Sequence, residues 1–187
     1  TISKSSKFCE AIDYNKKAVE YTQLNSKLNN IKNIKTFFSN LFKKVKGKFD
    51  LIIANPWFVD LKKGGLEEAP DIINKIDKHL SKDGYLLMIL NSYIKDNVDT
   101  AYTYFRKIVN EKKFDISIYV NGYSTEFDRL HDYKKNKVDH YVSYNVIIKK
   151  KGDGLLKRYE TSFYRKFRDF TFIKICKFLG FFKTLAK

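Results

Sequence analysis

The stretch Phe49-Asp50-Leu51-Ile52-Ile53-Ala54-Asn55-Pro56-Trp57-Phe58 constrains the fold of this chain more than any other. Four apolar residues in succession after a polar start are the pattern of a strand buried on both faces of a parallel sheet, not of a half-exposed strand, which alternates. Asn55-Pro56 then ends the strand, because proline lacks a backbone donor and pushes the residue before it out of helical geometry. An amide and two large aromatics, Trp57 and Phe58, follow at the strand's carboxyl end. That is where open α/β sheets hold their ligands.

The rest of the chain alternates strands with helices around this run. Phe8 to Ile12 reads as a strand ending in Asp13, and Tyr21, Leu24, Leu28 and Ile31 recur at helical spacing, predicting an amphipathic helix over 15–30 capped by Asn15. Ile34 to Leu41 reads as a second strand. Beyond the central run, Ile72 or Ile73, Ile76 and Leu80 mark a helix that Pro70 opens and Ser81-Lys82-Asp83-Gly84 closes. Tyr85 to Leu90 is a strand, Val98 to Val109 a helix and Phe114 to Val120 a strand. Tyr141 to Lys149 follows with no helix between, which predicts an antiparallel strand at the sheet's edge. The expected fold is α/β and Rossmann-like: a mostly parallel sheet, helices on both faces, right-handed crossovers.

Two segments depart from this rhythm. Residues 121–140 are polar and charged; His131 and His140 stand beside Asp132 and Asp139 there, but neither spacing nor ligand count makes a metal site, and none is expected. Lys134, Lys135 and Lys137 in the same stretch are candidate phosphate contacts, with a solvated loop the commoner outcome. After Lys151-Gly152-Asp153-Gly154, Phe163, Phe167, Phe170, Ile173, Phe178, Phe181 and Leu185 form an apolar stripe among lysines and arginines. This predicts a basic amphipathic helix over 155–187, set either on the protein's own sheet or on RNA, a partner or an anionic membrane surface. The organisation expected is an α/β domain over 1–150 and a basic aromatic extension over 151–187.

The 37 Lys+Arg against 21 Asp+Glu, a net charge of +16, favour polyanionic partners such as RNA or DNA, although a lysine-rich composition also arises from genome bias. Cys9 and Cys176 alone make no disulfide framework, so a reducing, cytoplasmic compartment is expected.

Over roughly residues 8–150 the chain resembles the class I S-adenosylmethionine-dependent methyltransferases. Ala11-Ile12-Asp13-Tyr14-Asn15 looks like the family's second strand, and Phe38-Ser39-Asn40-Leu41-Phe42 like the end of its third. Phe49 to Phe58 is similar to the Asn-Pro-Pro-Tyr/Phe signature of amine methyltransferases, and Leu80 to Leu86 looks like the turn into the strand after it. The resemblance implies S-adenosylmethionine as cofactor, with Asp13 accepting from its ribose hydroxyls and Asn40 meeting its adenine. It also implies Asn55 and Pro56 as the catalytic pair that orients an amine or amide nitrogen, and Trp57 or Phe58 as a platform stacking on a flat substrate. Each residue has a plainer alternative: Asp13 as a helix cap, Asn55 as a turn residue, the aromatics as core.

Two departures from the pattern matter. Trp57 replaces the signature's second proline and Asn40 a frequent Asp. More seriously, the family's first strand and glycine-rich loop belong before Asp13, where twelve residues without glycine stand. Three accounts follow: a fragment of a longer protein, a missing piece on another chain, or a domain without catalysis; a rearranged pocket is a fourth. Two functions follow as well. One is an N-methyltransferase acting on nucleic acid or a translation-associated protein, an enzyme once the cofactor loop is supplied. The other is a non-catalytic nucleic-acid-binding or scaffold module of a ribonucleoprotein.

Overall fold

The computed structural model describes residues 5–56, 68–112, 114–124, 140–150 and 152–160. They fall into two compact units that divide between Lys46 and Gly47.

The first unit is a βαβ element. Strand β1 (Cys9–Asp13) pairs in parallel with β2 (Ile34–Phe38), in a register that sets Cys9 opposite Ile34 and Asp13 opposite Phe38, and helix α1 (Lys16–Leu28) connects them. Asn15 caps α1 as the sequence predicts: its side-chain oxygen accepts from the Lys17 amide at 2.9 Å. The chain leaves the helix through Asn30 at φ 57°, a left-handed position that asparagine tolerates. The apolar stripe expected to pack inward does not do so. Tyr21, Leu24 and Leu28 are exposed, Leu28 by 74%, while α1 buries Val19 and Ser26. Its packed side runs through Val19, Thr22 and Ser26, and the Thr22 and Ser26 hydroxyls donate back to the Ala18 and Thr22 carbonyls.

The second unit holds a six-stranded sheet in the order β3-β4-β7-β6-β8, with the short β5 (Val98–Asp99) on β4. Strands β3 (Phe49–Ala54), β4 (Leu80–Lys95), β6 (Asp115–Ser124) and β8 (Leu156–Glu160) run one way and β7 (His140–Lys149) against them. The antiparallel strand expected at the edge is therefore interior. Val142, Tyr144, Val146 and Ile148 on one face of β7 are all 2% exposed or less, and Ile147 on the other face is also buried, so an edge position would have bared them.

Helices α2 (Ala69–His79) and α3 (Thr100–Lys112) follow β3 and β5. Pro70 lies in the first turn of α2 with Asp71, and Lys78 lies in the last, each charge matched to the nearer end of the helix dipole. Ile72, Ile73 and Ile76 from α2, and Ala101, Phe105, Ile108 and Val109 from α3, are buried. Lys150 donates to the Asp77 and Leu80 carbonyls at the end of α2, and α3 begins at Asp99, which Tyr144 and Arg158 hold. Lys150, Tyr144 and, through its partner Ile118, Arg158 share the β7 face of Val146 and Ile148, so both helices cover that face. Val98, expected in the helix, is exposed and belongs to β5.

The Ser81–Gly84 turn is absorbed into the start of β4: Phe49 pairs with Leu80 but Leu51 with Tyr85, and Ser81 Oγ donates to Asp50 Oδ1 at 2.7 Å across the irregularity. Only glycine fits at position 84, since a Cβ there would stand 2.9 Å from the Phe49 carbonyl oxygen.

The helix expected over 155–187 is corrected at its start. Leu156–Glu160 is a strand, parallel to β6. Asp115 Oδ1 accepts from the amides of Asp153 (2.9 Å) and Leu155 (3.0 Å), and Gly154 takes φ 77°, so the Gly152–Leu155 turn returns the chain onto β6. Lys157 and Tyr159 face solvent while Leu156 and Arg158 are half-buried, the period of two that belongs to a strand. Residues 161–187 and 125–139, with His131, Asp132, Asp139 and the three lysines, lie outside the described residues.

Candidate functional site

In the first unit the carboxyl ends of β1 and β2 are tied together: Ser39 donates its amide to the Asp13 carbonyl at 2.9 Å, extending the parallel pairing by one step. Asp13 and Asn40 thereby share one end of the βαβ element. Asp13 Oδ1 accepts from the Asn15 amide at 2.8 Å, which fixes the carboxylate at the entrance of α1. The capping role considered for Asp13 is thus present in part, with Asn15 as the cap proper. Asp13 Oδ2 has no hydrogen-bond partner among the described residues and remains an acceptor.

Asn40 precedes the 3₁₀ turn Leu41–Lys44 and is exposed, and its amide makes no capping bond there. The turn is held by Ser39, whose buried hydroxyl donates to the Leu41 carbonyl at 2.7 Å and accepts from the Lys44 amide at 3.1 Å. Ser39 thus frees Asn40 from local duties. Beside them Phe38 and Tyr14 are exposed aromatics, and Lys44 Nζ stands 5.0 Å from the centre of the Phe38 ring. A carboxylate acceptor, a free amide and exposed aromatic rings at one end of a parallel pair match what a nucleoside needs: hydroxyl, base edge and base face. Reasoning from sequence left Tyr14 and Phe38 without a role; their position immediately beside Asp13 and Asn40 was the available signal.

In the second unit Asn55 and Pro56 follow the last residue of β3, where Ala54 pairs with Met88. Asn55 is exposed and Pro56 half-buried. Trp57 and Phe58 lie outside the described residues, as do Gly64 and Gly65. Asp13 and Asn40 belong to one unit and Asn55 and Pro56 to the other.

The remaining reactive groups do not compete for the role. Burial, reinforced by the Glu10 carboxylate, pushes the Cys9 thiol upward, so it stays protonated. Among the described residues no three His, Cys, Asp or Glu side chains gather to hold a metal ion. No helix among them is long and apolar enough to cross a membrane.

A family model, the methyltransferase small domain, matches residues 2–118. The chain belongs to the methyltransferase small domain family. The matched stretch contains Asp13, Asn40, Asn55 and Pro56. Curated members similar to it include the ribosomal RNA small subunit methyltransferase C of Escherichia coli (strain SMS-3-5 / SECEC) and that of Escherichia fergusonii. Both are 31% identical over 106 residues, 56% of this chain and 31% of each relative. The match thus spans about a third of the length of these relatives. Two solved structures share the fold. One is the StiE O-MT chain, 14% identical with a TM-score of 0.52, covering 75% of this chain and 58% of that one. The other is a chain from Streptococcus mutans, described as a methyltransferase in complex with SAH: 16% identical, TM-score 0.50, covering 79% and 78%. The Rossmann-like α/β class expected from the sequence is thereby the class observed.

Proposed function

We propose that this family member carries the cofactor-nucleoside and amide-motif portions of an S-adenosylmethionine-dependent N-methyltransferase whose substrate is RNA. The observation that carries the reading is the exposed Asn55-Pro56 pair at the carboxyl end of β3, inside the matched stretch. An amine or amide nitrogen reacts only when its hydrogens are held away from the line of attack. The Asn55 side-chain oxygen and the backbone carbonyl before Pro56 offer two acceptors for them, and proline contributes no competing N–H. Held so, the nitrogen lone pair points out of the plane of its group. S-adenosylmethionine, when bound, supplies an electrophilic methyl group. Asp13 would hold its ribose hydroxyls and Asn40 its adenine edge. Trp57 and Phe58 take the stacking role for a base, and the +16 charge favours a phosphate backbone. The rRNA methyltransferases among the relatives support RNA over other acceptors.

Transfer of labelled methyl from S-adenosylmethionine to ribosomal RNA tests the proposal. Asn55→Ala is expected to lower kcat by about 10²-fold, the order of loss from misplacing a reacting group, with cofactor affinity unchanged. Wild-type turnover by the variant would refute the role. Binding of RNA that falls with salt, without any cofactor binding, would favour the scaffold function instead.

A further inference from the structure

The two faces of the six-stranded sheet differ in chemistry toward the carboxyl ends of β4 and β6. On the helix-covered face Leu90, Tyr144 and Val120 form a buried row. On the opposite face the row beside it runs through Ile89, Asn145, Tyr119 and Tyr159, which the pairings of β4 with β7, β7 with β6 and β6 with β8 set side by side. Ile89 and Tyr159 are 38% and 41% exposed, and Tyr119 and Asn145 are half-buried.

Tyr119 and Tyr159 stack, with 4.7 Å between ring centres and 11° between ring planes. That spacing equals the separation of neighbouring strands, so the two rings stand upright on the sheet, face to face. Among the described residues β8 pairs with β6 alone, which leaves the second face of the Tyr159 ring turned outward. A cross-strand aromatic pair by itself stabilises a sheet. The surroundings of this one point further. Asn145 Nδ2 donates to Asn121 Oδ1 at 2.7 Å, and the pair still offers the Asn145 carbonyl as an acceptor and the exposed Asn121 amide as a donor. Lys157, two positions before Tyr159 and on the same face, is exposed and pairs with no carboxylate among the described residues. An open aromatic face, amides suited to base edges and a lysine suited to phosphate are the contacts a single-stranded nucleic acid uses.

We infer that this row is a stacking platform for single-stranded RNA, with one base seated on the outer face of Tyr159. The inference rests on RNA as the substrate class proposed above, and the strand register links the two sites. Ala54 pairs with Met88, so Asn55 stands one step on, level with Ile89 and its row. Three strand spacings then separate Asn55 from Tyr119 and four separate it from Tyr159, about 14 and about 19 Å. A strand stacked at a rise of ~3.4 Å covers that span in roughly four to six nucleotides, and an extended one in fewer. RNA with its reacting base at Asn55 therefore reaches the tyrosines within a few nucleotides.

Binding of a labelled single-stranded RNA of about 12 nucleotides to the 187-residue chain tests it, alongside the same RNA annealed to its complement. The single strand is expected to bind more tightly. Tyr159→Ala should weaken it about tenfold with little change for the duplex, while Tyr159→Phe, which keeps the ring, should stay within about twofold of wild type. Lys157→Gln should weaken binding and lower the slope against log salt by about 0.7. Equal affinity of Tyr159→Ala and wild type, an equal loss in the Phe and Ala variants, or duplex bound as tightly as single strand would overturn the inference. Self-association that Tyr159→Ala abolishes and RNA does not displace would assign the face to a second copy and overturn it too. Circular dichroism and Tm of each variant separate a lost contact from a lost fold, Tyr159→Phe and Lys157→Gln being the variants least able to disturb the sheet. These readouts involve neither cofactor nor methyl transfer: RNA binding that ignores Tyr159 sinks the platform alone, and absent turnover with the platform intact sinks only the catalytic proposal.

Discussion

The two units put a similar proportion of apolar sequence to opposite uses. In the sheet unit nearly every large aliphatic of β4, β6 and β7 on the helix-covered face is buried, along with Phe105 and Phe114. In the βαβ unit, Val19 is the one buried apolar residue among those described, and Tyr21, Leu24 and Leu28 stand in solvent. Both α1 and α2 have regular apolar spacing, yet α2 lies on a wide sheet and α1 on a two-stranded one. Periodicity thus marks which face of a helix seeks cover; the width of the surface beneath decides whether it finds any. Stability should accordingly concentrate in the sheet unit, while the residues suited to a nucleoside lie on the less buried one.

Truncating Phe105, which is wholly buried, breaks the comparison hardest if it fails. Phe105→Ala should cost about 3–5 kcal/mol in denaturant unfolding, against less than ~0.5 for Leu28→Ala. Comparable losses would mean that α1 is covered after all.

The polar counterpart in the sheet unit is Asp99. It receives Arg158 Nη1 at 2.7 Å, the Tyr102 amide at 3.0 Å and the Tyr144 hydroxyl, and the Arg158 guanidinium lies 5.2 Å from the Tyr102 ring centre. With side chains only 22% and 10% exposed, this pair is shielded. Arg158→Leu should destabilise by about 3 kcal/mol, because it leaves the Asp99 charge buried with neutral partners. If β8 is dispensable to the sheet, the variant will unfold like wild type.

Tyr104 adds a pH signature. Burial first, then the Glu111 and Asp71 carboxylates, push its phenol up to about 12. The raised value means that the folded state keeps a proton the unfolded chain has released. Stability from this group is therefore full below pH 10 and is lost as pH rises from 10 toward 12. Its hydroxyl is buried without a hydrogen-bond partner among the described residues. Tyr104→Phe should thus be neutral or stabilising by about 1 kcal/mol at pH 7, and should lessen the alkaline loss. An unchanged alkaline slope would rule the tyrosine out.

The smallest expected effect falls on the weaker unit. Asn15→Ala removes the cap on α1 and should cost about 1 kcal/mol locally, read as faster amide exchange in α1 with the sheet unit unaffected. Loss of protection in both units would show that they unfold together.

Short-range chemistry carried what could be foreseen. The Asn15 cap, the Pro70 start of α2 and the arrest of β3 at Asn55-Pro56 each depend on a few adjacent residues. The interior place of β7 was not legible, because its neighbours β4 and β6 are chosen by pairing between strands that are distant in sequence. β8 was misread because its aromatic and arginine residues continue into a helical-looking stripe, while the turn that makes it a strand depends on Asp115, 38 residues from Asp153. The Asp99–Tyr144–Arg158 network has no sequence signature at all. Asp13 and Asn40 were singled out by the family resemblance, whose strand ends they occupy. That Ser39 holds the turn and leaves Asn40 without a capping bond is seen only in the hydrogen bonds of the folded turn.

The most direct test of the account is calorimetric titration of the protein with S-adenosylhomocysteine, with wild-type and Asp13→Ala compared side by side. The account predicts binding that the variant weakens at least about tenfold, a loss of roughly 1.4 kcal/mol, as the ribose hydroxyls lose a charged acceptor. Equal affinity for the two proteins, or no binding by either, would contradict it.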